Sequence, residues 1–363
     1  MHISGSFDSG NIELRDGELH IRHDVGGEHM QWFHFRVTGA RGEACTLRLV
    51  NAKAASYPEA WEGYRACVSS DRKAWRRVDT RYIGGALEIA FSLESEVVWV
   101  AYFTPYSLER HMELLGWCQG RARLDRLGTT LDGRDLDRVI AGTGDKVVWI
   151  IARQHPGESM AQWWVEGLLR RLLDSSDALG RRLLDSATFH IVPNMNPDGS
   201  VRGHLRCNAS GANLNREWHE PSAERSPEVL HALAAMDVSG VDFFMDVHGD
   251  EELPYVFISG CEGVPGWDEQ RGRDDRLFRD DYERACPDFQ QVIGYGVDKP
   301  GEANMSMAGN AVAERFSCIG LTLEMPFKDN ANAPDSDHGW CARRSMRLGA
   351  AVLQPLSALL DRL

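Results

Sequence analysis

The first hundred residues alternate apolar and polar positions in several short runs. The clearest runs are MQWFHFRVTGA (30–40), ACTLRLVNA (44–52), ALEIAFSLE (86–94) and VVWVAYFTP (97–105). An alternation with period two is typical of β-strands that bury one face. Glycine, asparagine and aspartate fill the gaps, and helical spacing is scarce. We therefore predict an N-terminal antiparallel β-sandwich domain over residues 1–105.

After residue 105 the pattern changes to alternating strands and helices. A helix is predicted over Ser107–Gln119, with the serine as its cap. Continuous apolar runs predict buried strands, and runs with 3.6-residue spacing predict helices between them. The predicted strands are KVVWIIA (146–152), SATFHIVPNMNPDG (186–199, ending in a turn at NPDG), VDFFMDVHGD (241–250) and CIGLTLEMPF (318–327). The predicted helices are 159–176, 226–237 and 343–363. This order predicts an α/β domain over residues 106–363, with a mixed central sheet flanked by helices.

Composition excludes several classes of protein. The chain has 363 residues, of which 43% are hydrophobic and 26% charged, as in ordinary globular proteins. It contains neither a long apolar run nor the start of a secretory signal, so we expect a cytoplasmic protein without membrane segments. A formal net charge of -14 argues against nucleic acid as a partner. Eight cysteines without a Cys-x-x-Cys motif are expected to be free thiols.

Polar residues that suit metal chemistry follow three predicted strands. His155 and Glu158 come after KVVWIIA, His248 ends VDFFMDV, and Glu324 ends CIGLTL. Ligands gather at the carboxyl ends of strands in open α/β sheets, so these four side chains are expected to meet. Two histidines and a glutamate form a common ligand set for catalytic zinc. We predict one Zn²⁺ on the first three residues, with Glu324 as the general base.

Each of these signals has an ordinary structural explanation when it is taken alone. A single His-x-x-Glu is a weak motif. His248 could be held by Asp246 or Asp250, and Glu324 could be a solvated strand end. The coincidence of suitable residues on three independent strands favours the metal site.

The segment RCNASGANLNREW (206–218) carries candidates for substrate binding. It contains Arg206, Asn213, Asn215 and Arg216. Arginine binds carboxylates through two hydrogen bonds and keeps its charge at any working pH. An arginine beside an asparagine near zinc would clamp the terminal carboxylate of a peptide, and a second arginine would stabilise an oxyanion.

Together these motifs resemble the M14 zinc metallocarboxypeptidases, and most closely the cytosolic carboxypeptidase subfamily. The motifs, in order, are HPGE, VPNMNPDG, RCNASGANLNREW, DVHG and TLEMPF. The subfamily includes tubulin deglutamylases and bacterial relatives. The resemblance implies hydrolysis of C-terminal residues from a peptide or protein. The roles it implies are zinc ligation by His155, Glu158 and His248, general base catalysis by Glu324, carbonyl polarisation by Arg206, and carboxylate binding by Asn215 and Arg216.

One feature departs from the family pattern. Many members place a tyrosine on a mobile loop about a dozen residues before the general base, where this chain reads GNAVAERFSCIG (309–320). Phe316 lies there and cannot donate a hydrogen bond, so Tyr295 is the candidate replacement. The resemblance also implies acidic substrates, for which Lys299, Arg315 and Arg225 are candidate pocket residues, although such side chains usually lie on the surface.

Two other functions stay open from the sequence. A zinc deacylase of the succinylglutamate desuccinylase or aspartoacylase type would share the His-x-x-Glu and the distant histidine. A non-catalytic peptide-binding module would not need Glu324. The carboxylate clamp and the sandwich favour the peptidase. The sequence leaves the oligomeric state and the preferred side chain undecided.

Overall fold

The computed structural model describes all 363 residues, and the part before residue 105 contains two five-stranded sheets. Their strands, in chain order, are β1 (His2–Ser4), β2 (Glu13–Arg15), β3 (Glu18–His20), β4 (His34–Thr38), β5 (Ala44–Leu49), β6 (Cys67–Ser69), β7 (Arg76–Arg77), β8 (Asp79–Ile83), β9 (Ala86–Ser92) and β10 (Val97–Ala101). The sheet orders are β1-β4-β10-β6-β7 and β2-β3-β5-β9-β8. All pairings are antiparallel except the single β3–β5 contact. Every second residue of β5 is buried, and both sheets contribute to one core, so they form a β-sandwich.

A seven-stranded sheet follows in the order β11-β12-β14-β13-β15-β17-β16. Its strands are β11 (Arg123–Thr129), β12 (Asp135–Ala141), β13 (Lys146–Ala152), β14 (Ala187–Val192), β15 (Phe243–Val247), β16 (Phe257–Ser259) and β17 (Ile319–Glu324). The four strands β14, β13, β15 and β17 are parallel, and the outer strands are antiparallel. All residues of β15 and β17 are buried, because the sheet is covered on both faces. The predicted fold class is confirmed.

Nine α-helices and three short 3₁₀ helices complete the fold. The α-helices are α1 (Leu108–Cys118), α2 (Ser159–Leu172), α3 (Ala178–Ser186), α4 (Pro197–Arg202), α5 (Pro227–Ser239), α6 (Glu269–Ala285), α7 (Ala308–Phe316), α8 (Ala342–Ala351) and α9 (Leu353–Leu360). The 3₁₀ helices are Ala52–Ala54, Pro58–Trp61 and Leu214–Arg216. Not one of the helices combines the length and the apolar character needed to cross a membrane.

Two sequence predictions for local structure are wrong. The NPDG segment opens α4 instead of forming a simple turn: Asn196 caps the helix by accepting from the N–H of Gly199 at 3.0 Å, and Pro197 follows. Asparagine and proline also favour helix starts, so the segment is ambiguous on local grounds. The last helix divides into α8 and α9, since Pro355 has no N–H to donate to the carbonyl of Ala351.

Helices α2 and α8 pack closely because glycines face each other's backbone. A Cβ atom on Gly167 would lie 2.0 Å from the carbonyl oxygen of Met346, and one on Gly349 would lie 1.9 Å from the carbonyl oxygen of Trp164. Neither distance leaves room for a methyl group. The packing of α8 over α2 therefore depends on these two glycines.

We predict that Gly349→Ala lowers the thermal unfolding midpoint, because the added methyl group overlaps a backbone carbonyl and forces the helices apart, at a cost of ~1–3 kcal/mol. Gly116→Ala is the matched control. Gly116 is an exposed residue of α1 with open space around its Cα, so alanine there should raise stability by up to ~1 kcal/mol. Differential scanning fluorimetry measures both variants. A Gly349→Ala midpoint at or above wild type would contradict the packing.

Candidate active site

The candidate active site lies at the carboxyl ends of β13, β15 and β17. The parallel register aligns Ala152, Val247 and Leu323 in one row across the sheet. The pairing continues beyond the strands, because the N–H of His248 donates to the carbonyl of Leu323 at 2.8 Å. His248 and Glu324 therefore leave the sheet at the same edge.

A sharp turn after β13 carries the first two candidate ligands. Arg153 has a left-handed backbone with φ of +59° and is buried. Its guanidinium donates to the carbonyl oxygens of Pro156 and Tyr106, both at 2.9 Å, and to Oε1 of Gln162 at 2.7 Å. Three hydrogen bonds thus hold a backbone conformation that a non-glycine residue rarely adopts. The sequence analysis missed Arg153, whose only signal is a charged residue directly after a buried strand.

His155, Glu158 and His248 converge in the structure. Nδ1 of His155 lies 2.6 Å from Oε1 of Glu158, and Nδ1 of His248 lies 2.7 Å from Oε2 of the same carboxylate. One ligand atom from each residue lies within 4.8 Å of the others, and all three side chains are buried. Two imidazoles and a carboxylate at this spacing fit a catalytic zinc ion.

A second layer of polar residues fixes the orientation of both imidazole rings. Nε2 of His155 lies 3.0 Å from Oδ1 of Asn213. Nε2 of His248 lies 2.7 Å from Oδ2 of Asp246, an ion-pair contact without hydrogen-bond alignment. Gln154 in turn donates to Asp246 at 2.6 Å. Such outer partners turn the other ring nitrogen, here Nδ1, towards a metal. Asp246 was one of two partners considered for His248 from the sequence, whereas Asn213 and Gln154 were not expected to orient the rings.

The electrostatic environment suits metal binding. Burial lowers the pKa of His155 to about 4, and Arg206 adds to the effect, so this ring is neutral. Burial opposes ionisation of Glu158, but the two imidazoles outweigh it and hold the pKa of the carboxyl well below its ordinary value. Burial also opposes the charged form of His248, yet Asp246 and Glu158 raise its pKa. A metal would displace the proton from that ring.

Glu324 is another buried carboxylate of the cleft, and neither His155 nor His248 forms a hydrogen bond with it. It is 7% exposed, and its Oε2 is buried without a hydrogen-bond partner. Burial raises the pKa of Glu324, and the neighbouring carboxylates Glu158, Asp250 and Glu251 raise it further. A divalent cation beside it would favour the ionised form.

The predicted substrate-binding residues lie near the same cleft. The guanidinium carbon of Arg206 lies 5.9 Å from the ring centroid of Tyr57. Asn215 accepts from the backbone N–H of Ala308 through Oδ1 at 2.8 Å, which leaves its NH₂ group as a donor. Arg216 is exposed and donates only to the carbonyl oxygen of Asn215, at 2.6 Å. The site therefore combines two guanidinium groups with an oriented amide.

Tyr295 supplies a hydroxyl group to this region. Its hydroxyl donates to Oδ2 of Asp250, and its ring packs edge-on against Phe257. The residue as a whole is 48% exposed, but burial around the phenol raises its pKa, and the charges of Glu324 and Asp250 add to the shift. The stretch 309–320, which lacks the family tyrosine, forms most of α7 and the start of β17, so it is not a loop.

The sequence analysis missed two other residues of the cleft. Glu251 is 6% exposed, and Glu158 and Arg206 are among the charges that shift its pKa. Tyr57 reaches the same region from the sandwich, since the charges of Glu251 and Arg206 act on its phenol. The only sequence signal for Glu251 is its position three residues after His248.

The three candidate pocket cations lie elsewhere, in exposed ion pairs. The pairs are Lys299–Glu302 at 3.9 Å, Arg315–Asp237 at 2.7 Å and Arg225–Glu217 at 2.9 Å. All three cations are more than half exposed and already paired, so these side chains give no support to an acidic specificity pocket.

Family models match both parts of the chain. The model of the cytosolic carboxypeptidase N-terminal domain matches residues 3–103. The zinc carboxypeptidase model matches residues 109–254, which include both histidines and Glu158. The sandwich and the mixed α/β region therefore occur together as in the family.

Solved structures and curated relatives agree with these models. A metallo-carboxypeptidase from Burkholderia cenocepacia is 46% identical, with a TM-score of 0.96 over 100% of both chains. A metallo-carboxypeptidase from Pseudomonas aeruginosa, in complex with (2-guanidinoethylmercapto)succinic acid, is 44% identical, with a TM-score of 0.96 over 99% of both chains. Human cytosolic carboxypeptidase 4 is 30% identical over 72% of this chain, which spans 29% of that protein.

These matches confirm the resemblance found in the sequence, and they favour the peptidase over the deacylase and the non-catalytic module. The chain belongs to the M14 zinc metallocarboxypeptidases, in the subfamily of the cytosolic carboxypeptidases and their bacterial relatives.

Proposed function

We propose that His155, Glu158 and His248 bind one zinc ion and that Glu324 is the general base for hydrolysis of a C-terminal peptide bond. The observation that carries this proposal is the convergence of three buried ligand atoms within 4.8 Å, with Glu324 in the same cleft. A zinc ion held there would polarise the scissile carbonyl and lower the pKa of water. The substrate is the C-terminus of a peptide or protein.

Glu324 accepts the proton of the attacking water and passes it to the leaving amine. Two features support this role. Its Oε2 has no hydrogen-bond partner, so the oxygen is free to accept a proton. Burial raises the pKa of Glu324, so the carboxylic acid that forms during the attack is easily reached. A group that first accepts a proton and then donates it needs both protonation states.

Arg206 donates to the scissile carbonyl oxygen and stabilises the negative charge that develops on it. Burial disfavours its charge, but Tyr57 and the carboxylates of Glu251 and Glu158 raise its pKa above the ordinary value. The guanidinium is therefore always charged. Tyr295, whose hydroxyl donates to Asp250, takes the place of the family tyrosine as a hydroxyl donor in the cleft.

Asn215 and Arg216 bind the terminal carboxylate of the substrate. The oxygen of Asn215 is occupied by Ala308, so its NH₂ group is available to donate. Arg216 forms no ion pair with any residue of the chain, and burial and the charge of Arg206 lower its pKa. A bound carboxylate would give this unpaired cation a partner of opposite charge.

We also propose that residues 1–105 form a separate domain that shapes the cleft, since Tyr57 of this part lies against Arg206. An acidic last residue, glutamate above all, is the proposed substrate preference. Its support is the resemblance to the subfamily. The Pseudomonas enzyme is in complex with a succinic acid derivative whose two carboxylates match the zinc site and the carboxylate clamp, so they carry no information on the side chain. That ligand also carries a guanidino group, so basic residues are the competing choice.

We expect Glu324→Gln to keep its zinc and to lose turnover by about 10²–10⁴-fold, the usual contribution of a general base. Metal content is measured by mass spectrometry and turnover by release of the last amino acid. His155→Ala should lose the metal itself, whereas His190→Gln, at a buried histidine stacked on Trp149, should keep both. Wild-type turnover in Glu324→Gln would refute its assigned role.

Peptides with an amidated C-terminus test the carboxylate clamp. We expect the wild-type KM for the free acid to be about 10- to 100-fold lower than the KM for the amide. The reason is that a hydrogen bond to a charged group contributes ~1.5–3 kcal/mol to binding. In Arg216→Gln the KM for the free acid should rise towards that for the amide, because the charged donor is lost. A variant that still discriminates as wild type does would place the clamp elsewhere.

A set of peptides that differ only in the last residue tests the proposed preference. We expect glutamate to give a higher kcat/KM than glutamine, its neutral isostere, as the resemblance to the subfamily implies. Lysine and leucine complete the set, and a chelator control shows that cleavage depends on metal. Best cleavage of the lysine peptide would contradict the acidic preference and leave the zinc chemistry intact.

A further inference from the structure

One carboxylate of the sandwich holds the backbone around Arg206. Oδ1 of Asp24 accepts from the N–H of Leu205 at 2.6 Å, and Oδ2 accepts from the N–H groups of Arg206 and Cys207, both at 2.8 Å. Asp24 is 2% exposed. Three consecutive N–H groups therefore point at one buried anion, which fixes the peptide planes on both sides of Arg206.

The loop that carries Asp24 is itself rigid and fits closely against the segment it holds. The N–H of Asp24 donates to the carbonyl of His29 at 2.8 Å, which closes the loop. The N–H of Val25 donates to Nε2 of His204 at 3.0 Å. A methyl group on Gly211 would come within 2.1 Å of the backbone of this loop. The two segments therefore cannot shift independently.

The sandwich also contacts Arg206 at its guanidinium group. The ring centroid of Tyr57 lies 5.9 Å from the guanidinium carbon. The side chain of Gln31 accepts from the N–H of Tyr57 at 2.8 Å and donates to its carbonyl at 3.2 Å. The same part of the chain thus orients Arg206 at both ends.

We infer that Asp24 is a positioning residue for catalysis: it places the backbone of Arg206 so that the guanidinium meets the scissile carbonyl oxygen in the transition state. This inference rests on the role proposed for Arg206. An oxyanion donor is effective only when it is already held at the site where negative charge develops. Small displacements of the donor from that site lower the rate strongly. A carboxylate is the side chain that accepts from three N–H groups at once, and an amide would turn an N–H against at least one of them.

The test is Asp24→Asn in the full chain, assayed with a peptide substrate and normalised to bound zinc. We expect kcat to fall by about tenfold or more, because a displacement of about 1 Å near the chemistry can cost 10²-fold. KM should stay within about twofold of wild type, since the lost interaction belongs to the transition state. Asp24→Glu, which keeps the charge but moves the carboxylate, should show the same loss, and it serves as the second variant if Asp24→Asn does not fold.

Asp8→Asn is the matched control. Asp8 is another sandwich carboxylate that accepts a backbone N–H from beyond residue 105, in this case that of Leu108 at 2.9 Å, and it does not contact residues 205–207. We expect its variant to lose some thermal stability and to keep the wild-type kcat. Equal losses of kcat in the Asp8 and Asp24 variants would reduce Asp24 to a structural residue and overturn the inference.

A double-mutant cycle with Arg206→Gln separates this inference from the proposed function. If Asp24 acts through Arg206, Asp24→Asn should change kcat little once Arg206 is replaced. Full additivity of the two losses would overturn the positioning role. If Arg206→Gln alone turns over as wild type does, the catalytic role proposed for Arg206 fails instead.

Discussion

The parallel pairing of β13, β15 and β17 is the constraint on which the rest of the site depends. Ala152, Val247 and Leu323 lie in one row, and the chain delivers a histidine or a glutamate beyond each of them. A slip of one residue in either pairing would turn the strand's side chains to the opposite face and separate the ligands. All residues of β15 and β17 are buried, so burial on both faces keeps the register in place.

This geometry brings several carboxylates together in a buried region. Glu158, Glu251 and Glu324 are all buried, and Arg206 and the protonated ring of His248 are the positive groups near them. Carboxylates in such surroundings need a cation, because their mutual repulsion and lost hydration are both unfavourable. The cleft is therefore suited to a divalent ion, and the same shortage of positive charge keeps Arg206 firmly protonated.

The sandwich takes part in the site as well as in the core. A single hydrophobic cluster of 68 buried residues runs through both of its sheets and one side of the seven-stranded sheet. Tyr102 of the sandwich stacks on Phe327, just beyond Glu324, with ring centroids 4.6 Å apart. Close packing of this kind couples the position of the sandwich to that of the seven-stranded sheet. A sandwich residue such as Asp24 can therefore influence the site at the edge of that sheet.

The sequence by itself determined eight of the strands, the helices α1, α2 and α5, the mixed sheet and the family, because these depend on local periodicity and on short motifs that follow each strand. It did not indicate the helices α3, α6 and α7. It also pointed to the residues that converge, since parallel strands end at one edge. Only the tertiary structure decided that Asn213 and Asp246 orient the imidazoles, that Tyr295 reaches Asp250, and that Lys299 stays on the surface. The contacts of Asn213 and Tyr295 join positions 58 and 45 residues apart, and periodicity carries no information about them. Those of Asp246 and Lys299 are local in sequence, but a pattern of residue types does not fix where these side chains point. Even for the NPDG segment the sequence did not distinguish a turn from a helix start, because the same residue types favour both.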